Sequence, residues 1–149
     1  MFALTSPVVA AANLVPLPAR EAGGELHDRP ARVLVLDNEP LALEALRALL
    51  QRWGHTVLTA HDAGEARAQC GTLPPDLLLA DYHLDDGMSG LDAAHVLRAD
   101  WHREVPTVIV TADPTRTARD AALEAGFAVL QKPVKPAALR ALLQRLLPP

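Results

Sequence analysis

From residue 32 onward, short apolar runs rich in valine, leucine and isoleucine alternate with stretches of helical period. A strand buried on both faces reads as a continuous apolar run, and two parallel neighbours need a crossover of about a dozen residues or more between them. The alternation therefore predicts βαβ units assembled on one parallel sheet. The runs fall at residues 32–36, 56–59, 76–80, 107–111 and 128–131. Strands alternating with helices in this way make an α/β, doubly wound sheet. Its ligand site lies beyond the carboxyl ends of the strands, at the topological switch point.

The intervening helices have readable ends. Leu43, Leu46, Leu50 and Trp53 repeat at helical spacing, and Gly54 follows where a left-handed cap is wanted. Asp62 and Glu65 form a capping-box-like pair, and Ser89 precedes a helix over residues 90–101. Asp113 with Pro114 offers an N-cap and a first-turn proline. In the last helix Pro136 stands near the start, and Leu139, Leu142, Leu143, Leu146 and Leu147 make one apolar stripe. That stripe is mainly core, with Leu147 leaving a homodimer contact open. Trp53 and Trp101 read as packing residues at helix ends.

Residues 1–30 contain Pro16, Pro18, Gly23, Gly24 and Pro30 and read as a tail or linker, which places the folded domain at residues 31–149. A chain of 149 residues has material for one ordinary core. Its first residues are apolar but lack a basic leader and carry Pro7, Pro16 and Pro18, which argues against a secretory signal. Charged residues or proline interrupt every other stretch that might span a bilayer. The single Cys70 excludes an internal disulfide, and the six histidines lack the close pairing of a structural zinc site. A net charge of −4 gives no global drive toward nucleic acid or anionic lipid. A soluble, cytoplasmic protein without direct nucleic-acid or membrane contact is the expectation. Residues 114–149 carry six Lys/Arg against two Asp/Glu, an excess that reads as a solvated face before it reads as a partner surface.

The polar residues with chemical potential all sit at strand ends. Asp37, Asn38 and Glu39 follow the first strand, Asp81 ends the third, Thr111 ends the fourth and Lys132 follows the fifth. One βα unit takes roughly 20–30 residues, so the spacings from 37 to 81, 81 to 111 and 111 to 132 correspond to two units, one and one. Parallel strands bring all four positions to one edge of the sheet. Carboxylates crowded there resist ionisation unless a cation compensates them. Magnesium is the natural candidate, since it prefers oxygen ligands and is often held by one or two carboxylates. A carboxylate can attack phosphorus and carry an acyl phosphate, and an ammonium and a hydroxyl can stabilise the transferred group.

Four segments carry a specific resemblance: VLVLDNEP at 33–40, LLLADYHLDDG at 77–87, VIVTA at 108–112 and VLQKP at 129–133. In this order they are similar to the signature blocks of response-regulator receiver domains of two-component systems. The resemblance implies a flavodoxin-like (βα)5 fold with a five-stranded parallel sheet of order 2-1-3-4-5. It implies that Asp81 is phosphorylated by a histidine kinase, or through its dimerisation and phosphotransfer domain, with Mg2+ as cofactor. By the same resemblance Asp37, Asn38, Asp81 and the backbone carbonyl of His83 hold the metal, and Thr111 and Lys132 bind the phosphoryl group. A cis peptide before Pro133 is also implied. Asp85 and Asp86 read as a solvated acidic loop.

Two positions depart from the family pattern. Asn38 stands where a second acid is usual, so metal affinity should be lower; as an alternative role, Asn38 can cap the first helix. Val129 occupies the place of the usual aromatic switch residue. A degenerate receiver that only binds protein is therefore one alternative. A phosphatase of the haloacid dehalogenase type is another, with Asp37 as nucleophile, but position 39 is Glu and no Asp or Glu follows Lys132 to complete its metal site. The blocks, and the segment MFALTSPVV at residues 1–9, resemble parts of hybrid sensor histidine kinases, which suggests a C-terminal receiver of such a protein.

Overall fold

The computed structural model describes residues 30–84, 87–112 and 116–148. The tail at residues 1–29, the Asp85–Asp86 pair and the Asp113–Pro114 cap lie outside them. Strand β1 (Arg32–Leu36) is followed by α1 (Pro40–Arg52), β2 (Thr56–Ala60), α2 (Ala63–Cys70), β3 (Leu77–Asp81) and α3 (Gly90–Trp101). The order closes with β4 (Thr107–Thr111), α4 (Arg116–Glu124), β5 (Ala128–Gln131) and α5 (Pro136–Leu146). All strand pairs are parallel and the sheet runs β2-β1-β3-β4-β5, the order expected.

Burial explains the residue choice. Every residue of β3 and β4 is buried, as interior strands covered on both faces must be, whereas the edge strand β2 opens on an exposed Thr56. Alternating side chains feed two cores. Leu34, Leu36, Leu78, Ala80 and Ile109 meet residues of α2, α3 and α4, among them Ala66, Ala94, Leu97 and Ala122. On the opposite face Val33, Val35, Leu79 and Val110 meet Leu43 and Leu50 of α1 and Leu139 and Leu143 of α5. Trp101 packs against the first core and Trp53 against the second.

Helix ends largely follow the sequence signals. Ser89 accepts from the Asp92 N–H and Asp62 from the Glu65 N–H. Glu65 completes its box one residue further back, by accepting from the His61 N–H at 2.7 Å. Gly54 takes the positive φ of 95° after Trp53. Two expectations are corrected. The third strand is displaced by one residue to Leu77–Asp81, because the ladder to β4 extends to Asp81, which pairs with Val110; the Asp76 carboxylate accepts from the Arg32 N–H at 2.8 Å. The N-cap of α1 is Glu39, not Asn38, and it makes no side-chain cap; Pro40 at the first position has no N–H to be capped. Among the described residues no helix is long and apolar enough to cross a membrane.

Candidate functional site

At the switch point the chain leaves β1 for the β2 side of the sheet and returns to β3 on the other, so the carboxyl ends of β1 and β3 bound a crevice. Asp37 and Asp81 stand at its two sides. The Asp37 N–H bonds the Ala60 carbonyl at 3.1 Å, extending the β1–β2 ladder and fixing the acid at the strand end. Asp81 is the last residue of β3, paired with Val110 of β4. The Lys132 N–H bonds the Thr111 carbonyl at 2.9 Å, so the ladder between β4 and β5 brings the lysine beside the threonine. The peptide between Lys132 and Pro133 is cis, as expected.

Side chains converge accordingly. Asp37 and Asp81 are 2% and 7% exposed, and Thr111 is buried. Lys132 retains 28% exposure of its side chain, and its Nζ lies 3.3 Å from Asp81 Oδ1 and 3.9 Å from Asp37 Oδ2. One ammonium thus faces two buried carboxylates. Burial pushes the Asp37 carboxyl above its ordinary value of 3.8. The Glu39 N–H, donating to Asp37 Oδ1 at 2.9 Å, pulls the other way; Asp81 raises it by its charge and by a shared hydrogen bond, and Lys132 lowers it.

This imbalance is the test of whether a cation suits the place. Among the described residues no cluster of three or more His, Cys, Asp or Glu side chains gathers as a metal site. Magnesium does not require one: two hard carboxylate oxygens with carbonyl or amide oxygens and water suffice. Asp37 and Asp81 supply the carboxylates, Asn38 follows Asp37 directly, and two buried carboxylates sharing one ammonium leave negative charge that a divalent ion relieves. The residues present fit magnesium. His83 is exposed, bridges Ser89 and sets its ring edge-on to Tyr82 at 5.0 Å.

One residue at the site escaped the sequence reading. Gly90 opens α3 against the backbone of the Asp81 turn, its N–H donating to the Tyr82 carbonyl at 2.7 Å. A Cβ there would sit 1.9 Å from the Asp81 carbonyl oxygen. The available signal was a glycine at the first helical position, where nearly any other residue is a better helix former.

A doubly wound sheet with paired acids, a hydroxyl and a lysine at its carboxyl edge is the architecture of a receiver, and the profile of the response regulator receiver domain matches residues 33–144. The chain belongs to that family. It is 37% identical over 130 residues to the Phyllosphere-induced regulator PhyR of Methylorubrum extorquens, covering 85% of this chain and 48% of that protein. It is 37% identical over 119 residues to the DNA-binding response regulator MtrA of Mycolicibacterium smegmatis, covering 76% of this chain and 51% of the other. The chain therefore spans about half the length of these regulators. Among solved structures, the chemotaxis response regulator CheY4 of Vibrio cholerae superposes with a TM-score of 0.69 at 26% identity, over 80% of this chain and all of that one.

Proposed function

We propose that Asp81 is the phosphoacceptor of this receiver domain, taking a phosphoryl group from a histidine kinase. The carrying observation is the single ammonium of Lys132 held 3.3 Å from the Asp81 carboxylate inside a buried acidic crevice. In the transfer, an Asp81 oxygen forms the new P–O bond while the bond from phosphorus to the donor breaks, and the donor atom leaves with the electron pair. Lys132 neutralises charge that gathers on the phosphoryl oxygens, and the Thr111 hydroxyl donates to one of them. Asp37 and Asn38, with the His83 carbonyl, would hold magnesium beside Asp81. When bound, the ion supplies charge compensation for both the carboxylates and the incoming phosphate.

Incubation of the full chain with a small phosphodonor and magnesium, followed by peptide mapping, tests this reading. The label is expected on Asp81 alone, absent from Asp81→Asn and weakened by chelation. A label elsewhere that survives Asp81→Asn removes the proposal. A folded chain that takes no label and still binds a partner would favour the degenerate-receiver reading. Placement at the C-terminus of a hybrid kinase belongs to the same proposal, supported by the resemblance of residues 1–9. An upstream promoter and ribosome-binding site with no kinase reading frame would remove it.

A further inference from the structure

The acids and the hydroxyl of the site start from opposite faces of the sheet. Asp37, Asp81 and Lys132 line a cleft between α1 and the turn after β5, over Val35, Leu79 and Val110, which belong to the core under α1 and α5. Thr111 stands two residues after Ile109 on β4, and side chains two apart on a strand share a face. Ile109 packs in the core under α2, α3 and α4, so the Thr111 side chain lies on that side, 3% exposed. To donate to a phosphoryl group on Asp81, its hydroxyl has to swing over the strand end and leave the space it fills. Interiors are close-packed and a void costs stability, so a neighbour must follow it.

Tyr82 is placed to follow. Its N–H bonds the Val110 carbonyl at 2.8 Å, one step beyond the Asp81–Val110 pair. That sets Tyr82 beside Thr111 on adjacent parallel strands, about 4.8 Å apart. The ring is half-buried, packs on the same core as Ile109 and stands edge-on to His83 at 5.0 Å. The neighbours on β5 are poorer candidates. Val129, paired with Ile109, is short and stiff at χ1, and Gln131, paired with Thr111, would carry an amide into apolar surroundings. A tyrosine brings aromatic area on two torsions and can keep its hydroxyl in water.

We propose that Tyr82 is the switch residue of this domain: when Thr111 turns toward the phosphoryl group on Asp81, the Tyr82 ring moves inward into the space that Thr111 leaves. The inference rests on the phosphoacceptor reading of Asp81 and adds how the phosphoryl group is reported to the rest of the fold. Tyr82 acts through Thr111 and not on the reacting atoms. Leu84, Met88 and Leu91 are half-buried against the same core, so the surface that changes with the ring is the entry to α3.

The chain has one tyrosine and two methionines, so 3-fluorotyrosine gives a single fluorine resonance and methyl-labelled methionine two signals, from Met1 and Met88. The test follows the full chain during labelling by phosphoramidate with magnesium, while peptide mapping gives the fraction of Asp81 modified. A new fluorine resonance should rise in proportion to that fraction, the Met88 methyl should shift with it, and magnesium alone should produce neither. The new resonance should show a smaller shift between H2O and D2O, because the ring has gone inward. In Thr111→Val, which keeps the shape of the side chain but lacks the hydroxyl, Asp81 should still take label while the fluorine resonance stays at its resting position. Thr111→Ser should restore the change, and Thr111→Ala replaces Thr111→Val should the latter not fold. Labelled Asp81 with the resonance unmoved, a ring no better shielded from solvent, or the same change in Thr111→Val would overturn the inference and leave the phosphoacceptor reading standing. A chain that takes no label on Asp81 would remove both.

Discussion

Asp37 holds its proton more tightly in the folded chain than in the unfolded one, because burial raises its carboxyl above 3.8. For an acid shifted upward, folding is favoured at low pH, and that stability is lost as pH rises through the folded-state value. At neutral pH the ionised group therefore works against the fold. Asp37→Asn should raise the melting temperature at pH 7 in chelator by roughly 3–6 °C, and the gain should shrink as pH falls toward 3.8. Magnesium should stabilise the wild type and not the variant. Thermal scans with and without the ion check both, and a variant less stable than wild type at pH 7 in chelator would contradict the account. Asn38 makes the complementary case, since it brings an amide oxygen where a second carboxylate would add charge. Asn38→Asp should lower the magnesium dissociation constant by roughly tenfold, and an unchanged or larger constant would count against its place beside the ion.

Elements depend on close approaches that composition does not reveal. The first turn of α3 lies on the Asp81–Tyr82 backbone with no space for a side chain, and the obstructing atoms are main chain that cannot rotate away. Gly90→Ala should cost about 2 kcal/mol or more in denaturant unfolding and slow Asp81 labelling in whatever fraction stays folded, because the acceptor turn must move. Normal stability with unchanged labelling would show that the helix start yields freely. The β1, β4 and β5 runs were legible to the residue, since each is a short β-branched or leucine-bearing stretch closed off by a site residue or a polar one: Asp37 after β1, Thr111 at the end of β4 and Gln131 at the end of β5. The limits of β3 were not: Asp76 and Asp81 flank the same apolar run, and only the ladder to β4, which pairs Asp81 with Val110, decides between them. Likewise Asn38 had the composition of an α1 cap, but Asp37 takes the Glu39 N–H and Pro40 removes the next donor. The convergence of Asp37, Asp81, Thr111 and Lys132 was legible because parallel strands share one carboxyl edge. The cleft beside them was not, because the spacing between α1 and the turn after β5 depends on packing.

Two apolar faces of one sheet account for the molecule. Helices α1 and α5 close one side and α2, α3 and α4 the other, and among the described residues the two clusters run from Val33 to Leu147. A sheet covered on both faces by its own crossovers needs no further layer to exclude water from its strands. The chain enters β1 through Ala31, whose N–H is bonded to the ring of buried His55 at 3.2 Å, so the first strand is anchored at the point where the described domain begins. If the folded domain starts at Ala31, as the sequence reading expects, residues 1–29 should be dispensable for folding. A shortened chain starting at Pro30 should melt within about 2 °C of the full chain and take label on Asp81 at the same rate. A loss of more than about 5 °C would mean that the proline- and glycine-containing tail contributes buried surface, and the boundary would have to move toward the N-terminus.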